Sequence, residues 1–141
     1  MTDLEKAKNI LINNNNTCVL VLGDAVYSSS ERGVKPLLDF LDSKTNFRGF
    51  SAADKTIGAG AAHLYLLLGV KTVWAKVISQ SALDILKSKN IKTEYETLVP
   101  YIINRRGDGM CPIEKAVKDI TNSNEALNAI NATLEDLKIK T

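Results

Sequence analysis

Histidine, cysteine and proline are all scarce in this chain: one, two and three of them among 141 residues. A catalytic zinc centre takes three protein ligands, drawn mostly from His and Cys. The whole supply is Cys18, His63 and Cys111, scattered along the chain, so no metal and no cofactor is expected. Two distant cysteines make no disulfide framework. No apolar run reaches the roughly 18 residues of a membrane span. Asp3, Glu5, Lys6 and Lys8 break up the N-terminal stretch, which therefore does not read as a signal peptide. The formal net charge is +2, too small to argue for nucleic acid or an anionic membrane as partner. These shortages point to a cytoplasmic protein with both thiols reduced. Asn15-Asn16-Thr17 and Asn131-Ala132-Thr133 match the glycosylation triplet, which is idle in that compartment.

What remains is enough for one domain, residues 1–141, able to bury a core without a staple. The stretch from Phe50 to Ser79 organises it. The expectation there is a loop, then a buried helix from about Asp54 to Leu68. That helix is apolar nearly all round, where a surface helix would carry a polar stripe. Gly58, Ala59, Gly60, Ala61 and Ala62 let a neighbouring backbone come close, although each glycine weakens helix propensity by roughly 1 kcal/mol. Gly69 suits the left-handed position that ends a helix. Thr72 to Ile78 then reads as a buried strand, interrupted by Lys76.

Before this stretch, Thr2 or Asp3 caps a first helix with Leu4, Ala7, Lys8 and Leu11 at helical spacing. The asparagines from Asn13 to Asn16 stop it. Thr17 to Leu22 is a buried strand, Gly23-Asp24 a turn, and Ala25 to Ser28 a returning strand. Val34, Leu37, Leu38 and Leu41 mark an amphipathic helix with Pro36 in its first turn. After it, Ser79 caps a helix facing inward through Ala82, Leu83 and Leu86. Ile91 to Val99 reads as a strand, and Tyr101 to Asn104 as strand or a turn of helix. Arg105 to Gly109 is a loop. Pro112 opens a helix carrying Ile113, Ala116, Val117 and Ile120, and a last helix spans about 124–138. The order is α, β-β, α, α, β, α, β, α, α, which implies an α/β sandwich of three layers, α/β/α, on a central mixed sheet of four or five strands.

Three segments carry a family resemblance: Asp54, Lys55, Gly58 and Ala61; Val77, Ile78 and Ser79; and Asn104, Arg105, Cys111, Pro112 and Glu114. Together they resemble a small prokaryotic family of unknown function with a cytidine-deaminase-like fold, over about residues 17–117. In zinc deaminases two helix starts hold the metal through H-x-E and P-C-x-x-C motifs. The corresponding starts here are Ala52-Ala53-Asp54-Lys55 and Ser79-Gln80-Ser81-Ala82, without those ligands. The wider fold also includes formyltransferase domains and a sulfur-transfer accessory protein, so the scaffold does not fix a reaction.

Asp54-Lys55, at the expected helix start, reads either as a cap for free N–H groups or as part of an anion site. The glycines at 58 and 60 are not a dinucleotide fingerprint, since they do not directly follow a strand in G-x-G-x-x-G spacing. Lys55-Thr56 is not a phosphate loop, because the glycines follow the lysine. Cys111 opens a helix, which activates a thiol, but Glu114 opposes that activation. Asn104 and Arg105 are either a solvated loop or a bidentate grip on a carboxylate or phosphate. Trp74 and Tyr65 read as core. Three functions follow. The first is binding of a small anionic, nucleotide-like ligand at the position of the lost active site through Asp54, Lys55, Ser79, Asn104 and Arg105. The second is a metal-independent enzyme with Cys111 as nucleophile or sulfur carrier. The third is a scaffold acting as a homo-oligomer.

Overall fold

The computed structural model describes residues 1–140, with the side chains of residues 139 and 140 outside the description. Thr2 opens the first helix, α1 (Asp3–Asn13), by accepting the Glu5 N–H on its hydroxyl at 3.1 Å. Asn14 ends it in extended conformation. A hairpin follows, β1 (Cys18–Leu22) and β2 (Ala25–Ser29), antiparallel from the Leu22–Ala25 pair outward. The turn holds Gly23 at φ +58°, which suits a residue without a Cβ. The helix α2 (Lys35–Asp42) carries Pro36 in its first turn, as its spacing predicts.

The next segment departs from the sequence reading. Residues Ser51–Ile57 form a strand, β3, and the buried helix α3 (Ala59–Leu68) begins only after it. Asp54 and Lys55 therefore stand in a strand, and the expected loop to Ala53 is strand too. Ala-Asp-Lys has helical propensity, but tertiary context overrides it. The strand lies between β1 and β4, paired on both edges. Its Ala52 and Ala53 are fully buried, so small side chains let a helix pack close on each face. Gly58, extended at ψ 179°, is the N-cap of α3.

From Gly69, left-handed at φ +80°, the chain enters β4 (Thr72–Ser79), then α4 (Gln80–Ser88), β5 (Lys92–Val99), α5 (Pro112–Ala116) and α6 (Ser123–Lys140). Between β5 and α5, Ile103 bridges Met110 antiparallel. The sheet runs β2-β1-β3-β4-β5. Strand β1 is antiparallel to both neighbours, and β3, β4 and β5 are mutually parallel. The molecule is thus an α/β protein built on a five-stranded mixed sheet. Its two faces are covered unequally. The larger core lies under α2, α3, α4, α5 and α6 and includes Leu20, Ala52, Leu64, Tyr65, Val73, Ala75 and Leu86. On the other face, among the described residues, α1 alone packs Ala7 and Leu11 against Val19, Val21, Ala53 and Trp74. Among the described residues no helix is long and apolar enough to cross a membrane.

Candidate functional site

Open α/β sheets place their sites at the carboxyl ends of parallel strands, where the chain turns into helices. Here β3 ends at Ile57, just before Gly58, and β4 ends at Ser79, and a buried carboxylate stands between the two helix starts. Glu114, 4% exposed, accepts the Ala59 N–H on Oε1 at 3.1 Å. The same oxygen accepts the hydroxyls of Ser79 at 2.7 Å and Ser81 at 3.0 Å. Its Oε2 accepts the Ile102 N–H at 3.2 Å. Ser79 Oγ in turn accepts the Ala82 N–H at 3.2 Å, capping α4. The helix starts therefore converge, and Glu114, not Asp54, caps α3. Gly58 is required for this approach: a Cβ there would stand 2.5 Å from Glu114 Oε2 and 3.0 Å from Ile102. At Gly60 a Cβ would meet Ile113 at the same 2.5 Å.

Asp54 has other partners. It faces α3, where the Tyr65 hydroxyl donates to its Oδ2 at 2.6 Å and the Thr56 N–H to its Oδ1 at 3.1 Å. Cys18 Sγ lies 3.2 Å from the same Tyr65 oxygen. With the phenol proton directed at Asp54, the thiol is the donor of that contact, giving a buried chain from Cys18 through Tyr65 to Asp54. Burial pushes the Asp54 carboxyl up to about 7, against the opposing pull of the Tyr65 and backbone hydrogen bonds. Burial, and then the Asp54 charge, also hold Cys18 and Tyr65 above their usual ranges. A thiol so held is unreactive. Among the described residues no group of three or more His, Cys, Asp and Glu could hold a metal.

The remaining expected site residues make other contacts. Asn104 holds a tight loop, donating to Asp108 Oδ1 at 2.8 Å and accepting the Asp108 N–H at 3.2 Å. Arg105, beside it, is exposed. Cys111 is half-buried before the five-residue α5, and its N–H donates to the Ile102 carbonyl at 2.8 Å. His63 is buried in mid-α3, its ring nitrogens 3.0 Å from Ser123 Oγ and 3.1 Å from the Ile120 carbonyl. A carbonyl only accepts, so Nε2 carries the proton. Burial lowers the His63 pKa, which suits a neutral ring tying α3 to the start of α6.

Lys55 turns to the opposite face. There α1 covers only part of the sheet, and a cleft of about 740 Å³ opens between the end of α1 and the bare surface of β4 and β5. Lys8, Lys55 and Lys76 all line it, with Trp74 and Glu96 on the floor and Asn13 to Asn15 at the wall. Lys8 Nζ lies 4.9 Å from the Trp74 ring centroid, close enough for cation–π attraction. Among the described residues none of the three lysines has a carboxylate within ion-pair distance. Lys8 and Lys76 are absent from the sequence-based candidates, although a signal existed for each. Lys8 interrupts the apolar spacing of its helix and Lys76 the apolar run of its strand. No local pattern links Glu114 to Ala59 across 55 positions of sequence.

Comparison with known proteins assigns no chemistry to either face. The family model described as a domain of unknown function (DUF1893) matches residues 6–134. The crystal structure of a DUF1893 family protein from Thermotoga maritima superposes with a TM-score of 0.84 at 26% identity, covering 96% of this chain and 91% of that one. No curated protein matches the chain.

Proposed function

Since the chain belongs to the DUF1893 family of unknown function, we propose a function from the geometry of its own site: it binds a small organic anion in the lysine cleft beside α1. The observation that carries this reading is the convergence of Lys8, Lys55 and Lys76, without carboxylate partners among the described residues, on one concave surface. Three like charges held together repel one another, and an anion relieves that repulsion. The cleft's 740 Å³ falls within the roughly 300–1,000 Å³ of small-molecule sites, too large for a simple inorganic anion to fill. A nucleotide-like ligand suits this size and charge, and it agrees with the cytidine-deaminase-like fold that the sequence resembles. The helix starts at Ala59 and Ser79 are the weaker place for the anion, because Glu114 already accepts their donors. Of the five residues expected to bind it, Lys55 faces the cleft.

Calorimetric titration of nucleoside mono- and triphosphates into the parent, Lys55→Ala and Lys76→Ala tests this. Each substitution removes a charge-assisted contact of about 1.5–3 kcal/mol, so affinity should fall roughly ten- to a hundredfold. Absence of binding by the parent, or equal affinities in all three proteins, would overturn the reading.

A further inference from the structure

The lysine cleft is not cationic throughout. Lys55 lies between the cross-strand pairs Asp54–Ala75 and Thr56–Val77, which sets it beside Lys76. Lys76 lies between the pairs Ala75–Tyr95 and Val77–Thr97, which sets it beside Glu96. One row across β3, β4 and β5 therefore reads Lys, Lys, Glu, spanning about 10 Å of backbone at two strand spacings. Lys55, Lys76 and Glu96 are all exposed. Glu96, like the lysines, has no ion-pair partner within 4 Å among the described residues, whereas Glu94 on the same strand lies 3.9 Å from Lys92. The wall continues the acceptor character. The last turn of α1 leaves carbonyl oxygens without intrahelical partners and carries the negative end of its dipole, at the wall lined by Asn13, Asn14 and Asn15.

Resting on the anion-binding reading above, we infer that the cleft recognises a bipolar ligand: a phosphate ester whose anionic end sits at Lys55 and Lys76 and whose hydroxyl or amino groups donate to Glu96. A carboxylate at the end of a lysine row weakens binding of a bare anion. It strengthens binding only of a molecule that brings donors to it, since hydrogen bonds to a charged acceptor are the strong ones. Glu96 is then the residue that separates organic phosphates from inorganic ones. A phosphate joined to a hydroxylated ring reaches from the lysines to Glu96, and an inorganic phosphate does not.

The substitution Glu96→Gln tests the inference because it should weaken one probe and not the other. Inorganic phosphate and adenosine 5′-monophosphate carry nearly the same charge at neutral pH. In the parent the nucleotide should bind at least tenfold more tightly. In Glu96→Gln the nucleotide should lose about tenfold, while inorganic phosphate should bind equally or more tightly. Position 96 is exposed on an edge strand, so the variant should unfold at the parent's urea midpoint. If Glu96→Gln strengthens both probes or leaves the nucleotide unchanged, Glu96 is no recognition residue, and the anion site stands without it. If neither probe binds the parent at millimolar concentration, the anion-binding reading fails as well.

Discussion

Asp54 and Glu114 are two buried carboxylates in one small domain, and their surroundings set them to different tasks. Asp54 is buried with the Tyr65 hydroxyl as its side-chain donor among the described residues, and burial pushes its carboxyl up to about 7 from an ordinary 3.8. The folded state therefore holds a proton between those two values that the unfolded state gives up. Stability is fully present below about pH 4 and falls as pH rises towards 7, by roughly 4 kcal/mol for a shift of this size. His63, whose pKa is lowered by burial, acts in the other sense and loses stability as pH falls. The difference between the parent and Asp54→Asn isolates the carboxylate: urea unfolding at pH 4.5 and 7.5 should show a decline in the parent that is absent or much reduced in the variant. An equal decline in both would show that Asp54 does not titrate as its burial requires. Glu114 instead accepts four hydrogen bonds. Glu114→Ala leaves the Ala59 and Ile102 N–H groups unpaired, at about 1–3 kcal/mol each. Glu114→Gln, which keeps an acceptor for Ala59, should cost less in the same unfolding measurement, and equal costs would contradict this division of labour. Gly58→Leu should also destabilise by roughly 1–3 kcal/mol, because its Cβ would meet Glu114 and Ile102. A variant with the parent's unfolding midpoint would contradict that close contact.

Among the elements, those with strong local signals are legible in the sequence. Thr2, Ser79 and Gly69 mark helix ends where the structure has them, and β1, β4 and β5 follow their apolar or β-branched runs. Strand β3 is the exception, since its first five residues, Ser-Ala-Ala-Asp-Lys, have neither branched side chains nor alternation, and only Thr56 and Ile57 at its end are branched. Its strand character comes from pairing on both edges and from two helices needing small residues beneath them. Because β3 reads as helix start in sequence, Asp54 and Lys55 read as one site, although in a strand neighbouring side chains point to opposite faces. That one error moves the candidate site. The assignment has a direct check in amide hydrogen exchange: Ala52 to Lys55 should rank with the slowest amides, opening only with global unfolding. Exchange at the rate of the exposed loop at Arg105 to Gly107 would contradict a central strand.

For the whole molecule, what matters is how unequally the two sheet faces are covered. Among the described residues, five helices pack the larger core, while α1 alone covers part of the opposite face, leaving the surface of β4 and β5 beside it open. The α/β sandwich is legible in the sequence. The sequence does not show which face keeps a cleft, because Lys8, Lys55, Lys76 and Glu96 come together only when the strands are in register. The chain's single tryptophan lies on the floor of that cleft, 6% exposed and under Lys8. It therefore reports on the site without a label. The most direct measurement is a Trp74 fluorescence titration with nucleoside phosphates, in parallel on the parent, Lys55→Ala and Lys76→Ala. A saturable change in the parent, shifted at least tenfold to higher concentration in both variants, is the expected result. An unresponsive Trp74, or saturation unaffected by either substitution, would contradict a ligand site in the lysine cleft.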